Sequence, residues 1–346
     1  MTSLKTNKTM TQSGSEVEDY QDTLSESAAN VISEVLIGSI ETLSVFGICI
    51  NVINLMIFYQ QGFKFATNIA LFALSFADLF NLVIVQVGLL FYNPFIVRSF
   101  PYPVDCTELA NLAATPHPAL ARVRSWIYVF LTAERCLCIF VPLTVKRLVT
   151  PARAGAVMVA IYVLNVSVAV PFWLDMYVDW KYYPNLNQTM LGVMFRYDRI
   201  YIRGPVHVTF AVIMFTTFPL LVLFTTVLIW KLQRMSLWRK ESTAADRSDF
   251  LAKRDRAVIK MVVVIALVLI ISLSPSVVFF VWTSFALYYE TGKHHQSVTV
   301  YSWFAYLLDV ENSCVNIIIY FNMSSNYRQT FIKTFWLSRA KQQIDQ

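Results

Sequence analysis

Apolar residues in this chain come in long runs separated by short polar stretches, not in the one-sided or alternating patterns of soluble helices and strands. The runs read as Val31–Tyr59, Asn68–Tyr92, Ala119–Val141, Ala154–Tyr177, Pro205–Trp230, Met261–Tyr288 and Val298–Phe321. Each is long enough for the ~20 residues that a helix needs to cross a bilayer core. Pro116 and Pro118 interrupt the start of the third. The expected fold is an all-α membrane protein, a seven-transmembrane helix bundle. After the seventh run, "NMSSNYRQTFIKTFW" places Tyr327, Phe331 and Phe335 at i, i+4 and i+8, with Arg328 and Lys333 off that stripe. This predicts a short amphipathic cytoplasmic helix suited to the inner membrane surface. "WRKESTAADRSDFLAKRDR" reads as cytoplasmic extensions of helices five and six joined by a short turn. The chain thus divides into a disordered extracellular tail at 1–30, a seven-helix domain at 31–321, and the amphipathic helix with a C-terminal tail at 322–346.

Composition agrees with a bilayer environment. Hydrophobic residues make up 56% and charged residues only 14%, where a soluble domain carries about a quarter charged. The first thirty residues are polar and acidic and lack the apolar centre of a cleavable signal peptide, so the first helix is expected to act as the targeting signal. Seventeen Lys and Arg residues fall in segments after helices one, three, five and seven, against eight on the other side. The positive-inside rule then puts the N-terminus outside and the C-terminus in the cytoplasm. The +6 net charge is this topological bias and gives no reason to expect nucleic-acid binding. Asn7 and Asn187 open glycosylation sequons on the outer side. Of five cysteines, only Cys106 lies in an outer loop, so it has no partner there for a disulfide. His294 and His295 are adjacent loop residues without further ligands, which does not make a metal site. No nucleophile–base or metal-ligand spacing suggests an enzyme, and no cofactor is implied.

The informative residues are the polar ones inside the runs. A charge at mid-helix costs roughly 2.5–3.5 kcal/mol on insertion scales, so each needs a partner or an aqueous cavity. Asp78 sits midway along helix two. On helix three, Arg124 lies eleven residues before Arg135, close to three whole turns, so both share one face. On helix seven, Asp309, Asn312, Ser313, Asn316 and Tyr320 form one polar stripe. Matching depths would let Arg124 meet Asp78 or Asp309 inside the bundle. Arg122, two positions from Arg124, points elsewhere, and Trp126 one turn along is its candidate cation–π partner.

Taken in order, these motifs resemble those of a rhodopsin-like G protein-coupled receptor over roughly Val31 to Trp336. "GICINVINL" supplies Asn51, "LSFAD" supplies Asp78, and "ERC" stands where that family has Asp-Arg-Tyr. Pro219 and Pro275 occupy the kink positions of helices five and six, and "NSCVNIIIY" supplies Asn316 and Tyr320. The resemblance implies that Arg135 faces the bundle interior at its cytoplasmic mouth, paired with Glu134 or with an acid on helix six, here Asp255, until activation frees it to help seat a heterotrimeric G protein. Lys146 and Arg147 would line that cavity.

Several positions depart from the pattern. Ile317 replaces the helix-seven proline, Leu273 a tryptophan and Val227 a tyrosine, while Arg124 stands at the family's sodium site. The family's disulfide to the second outer loop is absent, so that loop, roughly Val178 to Arg203, must be held by packing. Val310 stands where light-sensing members carry the retinal lysine, and His117 where amine receptors carry an aspartate. The segment from Arg122 to Thr150 looks most like chemosensory-type and peptide-type receptors of invertebrates such as molluscs. The expected function is transduction of an extracellular ligand, a peptide or small molecule, across the plasma membrane. Competing readings are a transporter or channel using the buried charges, or a receptor-shaped protein that no longer couples.

Overall fold

Among the described residues, seven long helices carry the chain back and forth, and their ends are written in local chemistry. The computed structural model describes residues 25–197, 202–241, 248–289 and 295–337. Asn7, His294, Arg339 and Lys341 lie outside the described residues, as do the side chains of Asp255, His295 and Lys146.

Helix α1 (Glu26–Gln61) starts at Ser25, whose hydroxyl accepts from the Ala28 amide, and stops at Gly62 with φ +76°. Helix α2 spans Ala66–Leu90, followed by two short helices, α3 (Pro94–Ser99) and α4 (Cys106–Ala114). Helix α5 (His117–Phe140) begins two residues before the expected Ala119. Pro116 and Pro118 do not interrupt it. Pro116 is its N-cap and Pro118 falls in the first turn, where a missing N–H removes no helical bond. Then come α6 (Pro142–Leu148), α7 (Pro151–Asp175), α8 (Arg203–Glu241), α9 (Ser248–Tyr289), α10 (His295–Met323) and α11 (Ser325–Ile332), whose last turn relaxes into a π-turn at Lys333–Leu337.

Six of these helices are long and apolar enough to cross a membrane, and α5 is the exception among the long ones. It carries Arg122, Arg124, Glu134 and Arg135, yet fourteen of its 24 residues are buried, against five of 25 in α7. Burial inside the bundle explains how an element too polar for lipid contact can still span. The seven-helix expectation is borne out.

One element was not expected. The segment joining α7 to α8 forms an antiparallel hairpin, β1 (Met176–Tyr183) and β2 (Gln188–Phe195), so the fold is helical with one two-stranded addition. Asn187 closes its turn at φ +48°, a conformation that asparagine tolerates better than most side chains.

The apolar core is split in two. One cluster contains Ile57, Phe58, Leu74, Val123, Ile127, Leu131 and Tyr320, and the smaller one contains Ile40, Leu82, Val85, Leu89 and Val310. Asn51 and Asn54 on α1, Asp78 and Asn81 on α2, and Asn312, Ser313 and Asn316 on α10 lie between the members of one cluster and those of the other, while Ser75 and Asp309 fall just beside cluster members. A polar layer therefore crosses the bundle at mid-height.

Candidate functional site

That layer is built around one guanidinium. Arg124 ion-pairs with Asp309 of α10 through Nη2 and with Asp78 of α2 through Nη1 at 3.3 Å. Its side chain is 1% exposed and that of Asp78 is 0% exposed, so the pair has no water to screen it. Arg124 reaches both acids, where the sequence pointed to one or the other. Ser313 Oγ accepts from Arg124 at 2.8 Å and donates to Asp78 Oδ1 at 2.9 Å. Asn316 donates to Asp78 Oδ2 at 3.0 Å, and Asn51 donates to the Ser313 carbonyl at 3.0 Å. Two carboxylates against one guanidinium leave a net negative charge, which these amide and hydroxyl donors spread over three helices. Such a layer is stable only while every member is present, because an orphaned buried charge is far more costly than a satisfied pair is stabilising.

Asn81 escaped the sequence reading, and His117 was singled out there without being placed in this layer. Asn81, one turn after Asp78, donates to Asp309 Oδ2 at 3.1 Å, and His117 Nδ1 sits 2.7 Å from Asn81 Oδ1. With the amide donating to Asp309, its oxygen must accept, which assigns the Nδ1–H tautomer to His117. The histidine ring also stacks on Tyr306 at 4.4 Å. The i, i+3 spacing of Asp78 and Asn81 was the available signal.

Toward the α11 end lies a second cluster. Arg135 forms a bidentate pair with its neighbour Glu134, Nε to Oε2 at 2.8 Å and Nη2 to Oε1 at 2.7 Å. Consecutive helical residues do not face one another, so the long arginine must fold back. Thr67 of α2 fixes that fold: its hydroxyl accepts from Arg135 Nη2 and lies 3.3 Å from Glu134 Oε2. The side chains are only 12% and 8% exposed. Thr67 lies eleven residues before Asp78, three turns along the same face of α2, a spacing readable in the sequence. Asp255 belongs to α9, but its side chain is outside the described residues. Tyr320 is buried against Phe58 and Tyr327, with its hydroxyl unpartnered. Asn312 is fully enclosed in the same stripe.

Pro219 and Pro275 both lie inside continuous helices. A proline deprives the carbonyl four residues back of its donor. For Pro275 that carbonyl is Ile271, and Ser274 Oγ takes over at 2.9 Å.

The expected stripe of α11 turns toward the bundle. Tyr327 is buried and donates to Asn54 at 2.5 Å, while Phe331 and Phe335 pack against the main core. At Tyr327 this helix is anchored to protein, which the expectation of a helix resting on lipid did not include.

At the opposite end, hydrogen bonds do what a disulfide would. The segment 103–105 runs beside β2, with Leu191 N donating to Pro103 O and Asp105 N to Leu191 O, both at 2.9 Å. Glu108 of α4 accepts from Lys181 Nζ at 2.6 Å and from the Val193 amide at 2.7 Å. The loop is thus latched by directed polar contacts where packing was expected. Among the described residues no disulfide is formed, Cys106 included. Burial and the adjacent Asp105 carboxylate raise the Cys106 thiol above the ordinary range. Asn187 lies exposed at the hairpin turn, its amide oxygen accepting from Tyr182.

The Arg122 expectation is corrected. Its guanidinium lies over Phe210 of α8, 3.4 Å from the ring centre, and not on Trp126, because α8 packs on that face of α5.

Comparison with curated protein sequences returns no match. A family profile described as "Serpentine type 7TM GPCR chemoreceptor Srw" matches residues 39–338, nearly the whole bundle and α11. The chain therefore belongs to that family of serpentine G protein-coupled chemoreceptors.

Proposed function

We propose that this chemoreceptor spans the plasma membrane with its N-terminus and hairpin outside and α11 in the cytoplasm, and that it couples an extracellular peptide or small molecule to a heterotrimeric G protein through a rhodopsin-like switch. The Glu134–Arg135–Thr67 cluster carries this reading. It holds a guanidinium folded against the inner end of the bundle, where α8 and α5 meet through Lys231 over Phe140. A ligand that prefers the open arrangement of helices would release it, since a ligand shifts a two-state bundle only by its differential affinity. Asn316 and Tyr320 on α10 and the prolines of α8 and α9 are the elements that would rearrange. The mid-height layer of Asn51, Asp78, Arg124, Asp309, Asn312 and Ser313 would transmit the change.

Basal nucleotide exchange on a co-expressed G protein tests the lock. Glu134→Gln removes one charge of the pair, and Asp255→Ala removes the helix-nine acid. At matched surface expression Glu134→Gln should raise basal exchange and Arg135→Ala should abolish coupling. Asp255→Ala should add to the basal rise. Unchanged exchange in all three variants would refute the switch.

A further inference from the structure

Of the two buried arginines among the described residues, Arg124 has two acids and Arg122 has none. Arg122 is 8% exposed, and its Nε and Nη2 atoms are enclosed without any acceptor. Phe210 covers one face of the guanidinium plane. A ring face attracts the cation but takes none of its in-plane N–H groups. The edge is left without an acceptor, and it is the edge whose parallel donors match a carboxylate. Arg122 lies five residues into α5, ~7.5 Å from the start of the helix on the hairpin side. On that same side, in the last turn of α7, Trp173 Nε1 is a second enclosed donor without an acceptor. The same turn of α7 also buries Asp175, whose Oδ1 accepts from the Tyr197 amide. It is the Arg122 edge, with no acid in ion-pair reach among the described residues, that describes a receptor for negative charge.

The geometry points to a ligand carboxylate taking the unpaired edge of Arg122 between α5 and α8. This rests on the receptor reading above and specifies the class of ligand: a carboxylic acid, whether a small molecule or a peptide with a free C-terminus. A bridging water could satisfy the N–H groups but not the charge, whereas a carboxylate does both. An uncompensated buried cation also destabilises the empty receptor, so the site is held at the expense of stability.

The test uses full-length receptor purified in detergent, with melting temperature as the readout. Arg122→Met keeps much of the apolar stem and removes the charge. Without ligand, this variant should melt about 2–4 °C above wild type. Sodium benzoate should stabilise wild type, benzamide should not, and Arg122→Met should respond to neither. A pool of tetrapeptides with free C-termini, set against the same pool amidated, separates the two sources. Stabilisation by the free-acid pool beyond that by benzoate identifies a peptide carboxylate, and the reverse a small acid. If Arg122→Met melts at or below wild type when empty, the guanidinium is a structural pin on Phe210 and the site does not exist. The site is equally refuted if neither carboxylate source stabilises wild type. Nucleotide exchange on added G protein by the Glu134→Gln receptor, recorded in the same detergent, isolates the receptor reading: no rise above wild type would count against the switch without touching carboxylate binding.

Discussion

At the scale of single residues, the decisive feature is Arg124 with its two acids. Removing one partner of a buried ion pair typically loses roughly 3–5 kcal/mol, severe against the ~5–15 kcal/mol usual for folded domains. Here one substitution would orphan both Asp78 and Asp309. Arg124→Ala should therefore sharply lower the amount of folded receptor at the surface, measured by flow cytometry of an N-terminal tag. Asp78→Asn in that background should recover only part of the loss, because Asp309 stays charged. Adding Asp309→Asn should recover most of it. The residual Arg124→Ala receptor should also gain stability from sodium relative to choline, since a diffusible cation can then occupy the vacated charge position. Full recovery with Asp78→Asn alone would mean that Asp309 does not depend on Arg124.

At the scale of elements, the hairpin is held to the rest of the fold by a few directed polar contacts. Glu108 joins α4 to both strands, accepting from Lys181 on β1 and from the Val193 amide on β2. Its side chain is 28% exposed and that of Lys181 is 37% exposed. Glu108→Gln is therefore expected to loosen the hairpin by only about 1–2 kcal/mol after solvent screening. Hydrogen exchange at the Leu191 and Val193 amides should accelerate, while amides of α2 stay protected. Because the latch is not covalent, reductant should leave those rates unchanged. Cys106 should label with an impermeant maleimide on intact cells with or without reductant, slowly near neutral pH and faster as pH rises toward its elevated thiol range. A reductant-dependent rise in labelling would reveal a hidden bridge.

At the scale of the whole molecule, orientation and membrane insertion are the properties to test. Seventeen basic residues on one side against eight on the other predict an extracellular hairpin. Asn187, exposed at the turn of that hairpin, should then carry a glycan. Glycosidase treatment of receptor from intact cells should raise its electrophoretic mobility, and Asn187→Gln should remove at least part of that shift. A receptor whose C-terminal tag is reached by antibody without permeabilisation would invert the assignment. Tyr327 and its bond to Asn54 also tie α11 to the bundle, so the position of this helix should not depend on lipid alone.

Much of this was legible in the chain because membrane insertion is decided locally. Seven runs of sufficient length and the distribution of basic residues require only composition and period, and so the helices and a proposed orientation could be read directly. Asp78, Arg124 and Asp309 stood out because a charge inside an apolar run has no local explanation. Their helical depths matched, which narrowed the partners without choosing between them. The choice needed the packing of α2, α5 and α10 around one guanidinium, where Arg124 spans both acids and Asn81 and His117 extend the network. The hairpin latch, the fold of Arg135 onto Thr67 and the contact of Arg122 with Phe210 likewise join residues far apart in sequence. Periodicity assigns a side chain to a face of its own helix. Which helix meets that face, and at what rotation, is settled only by tertiary packing.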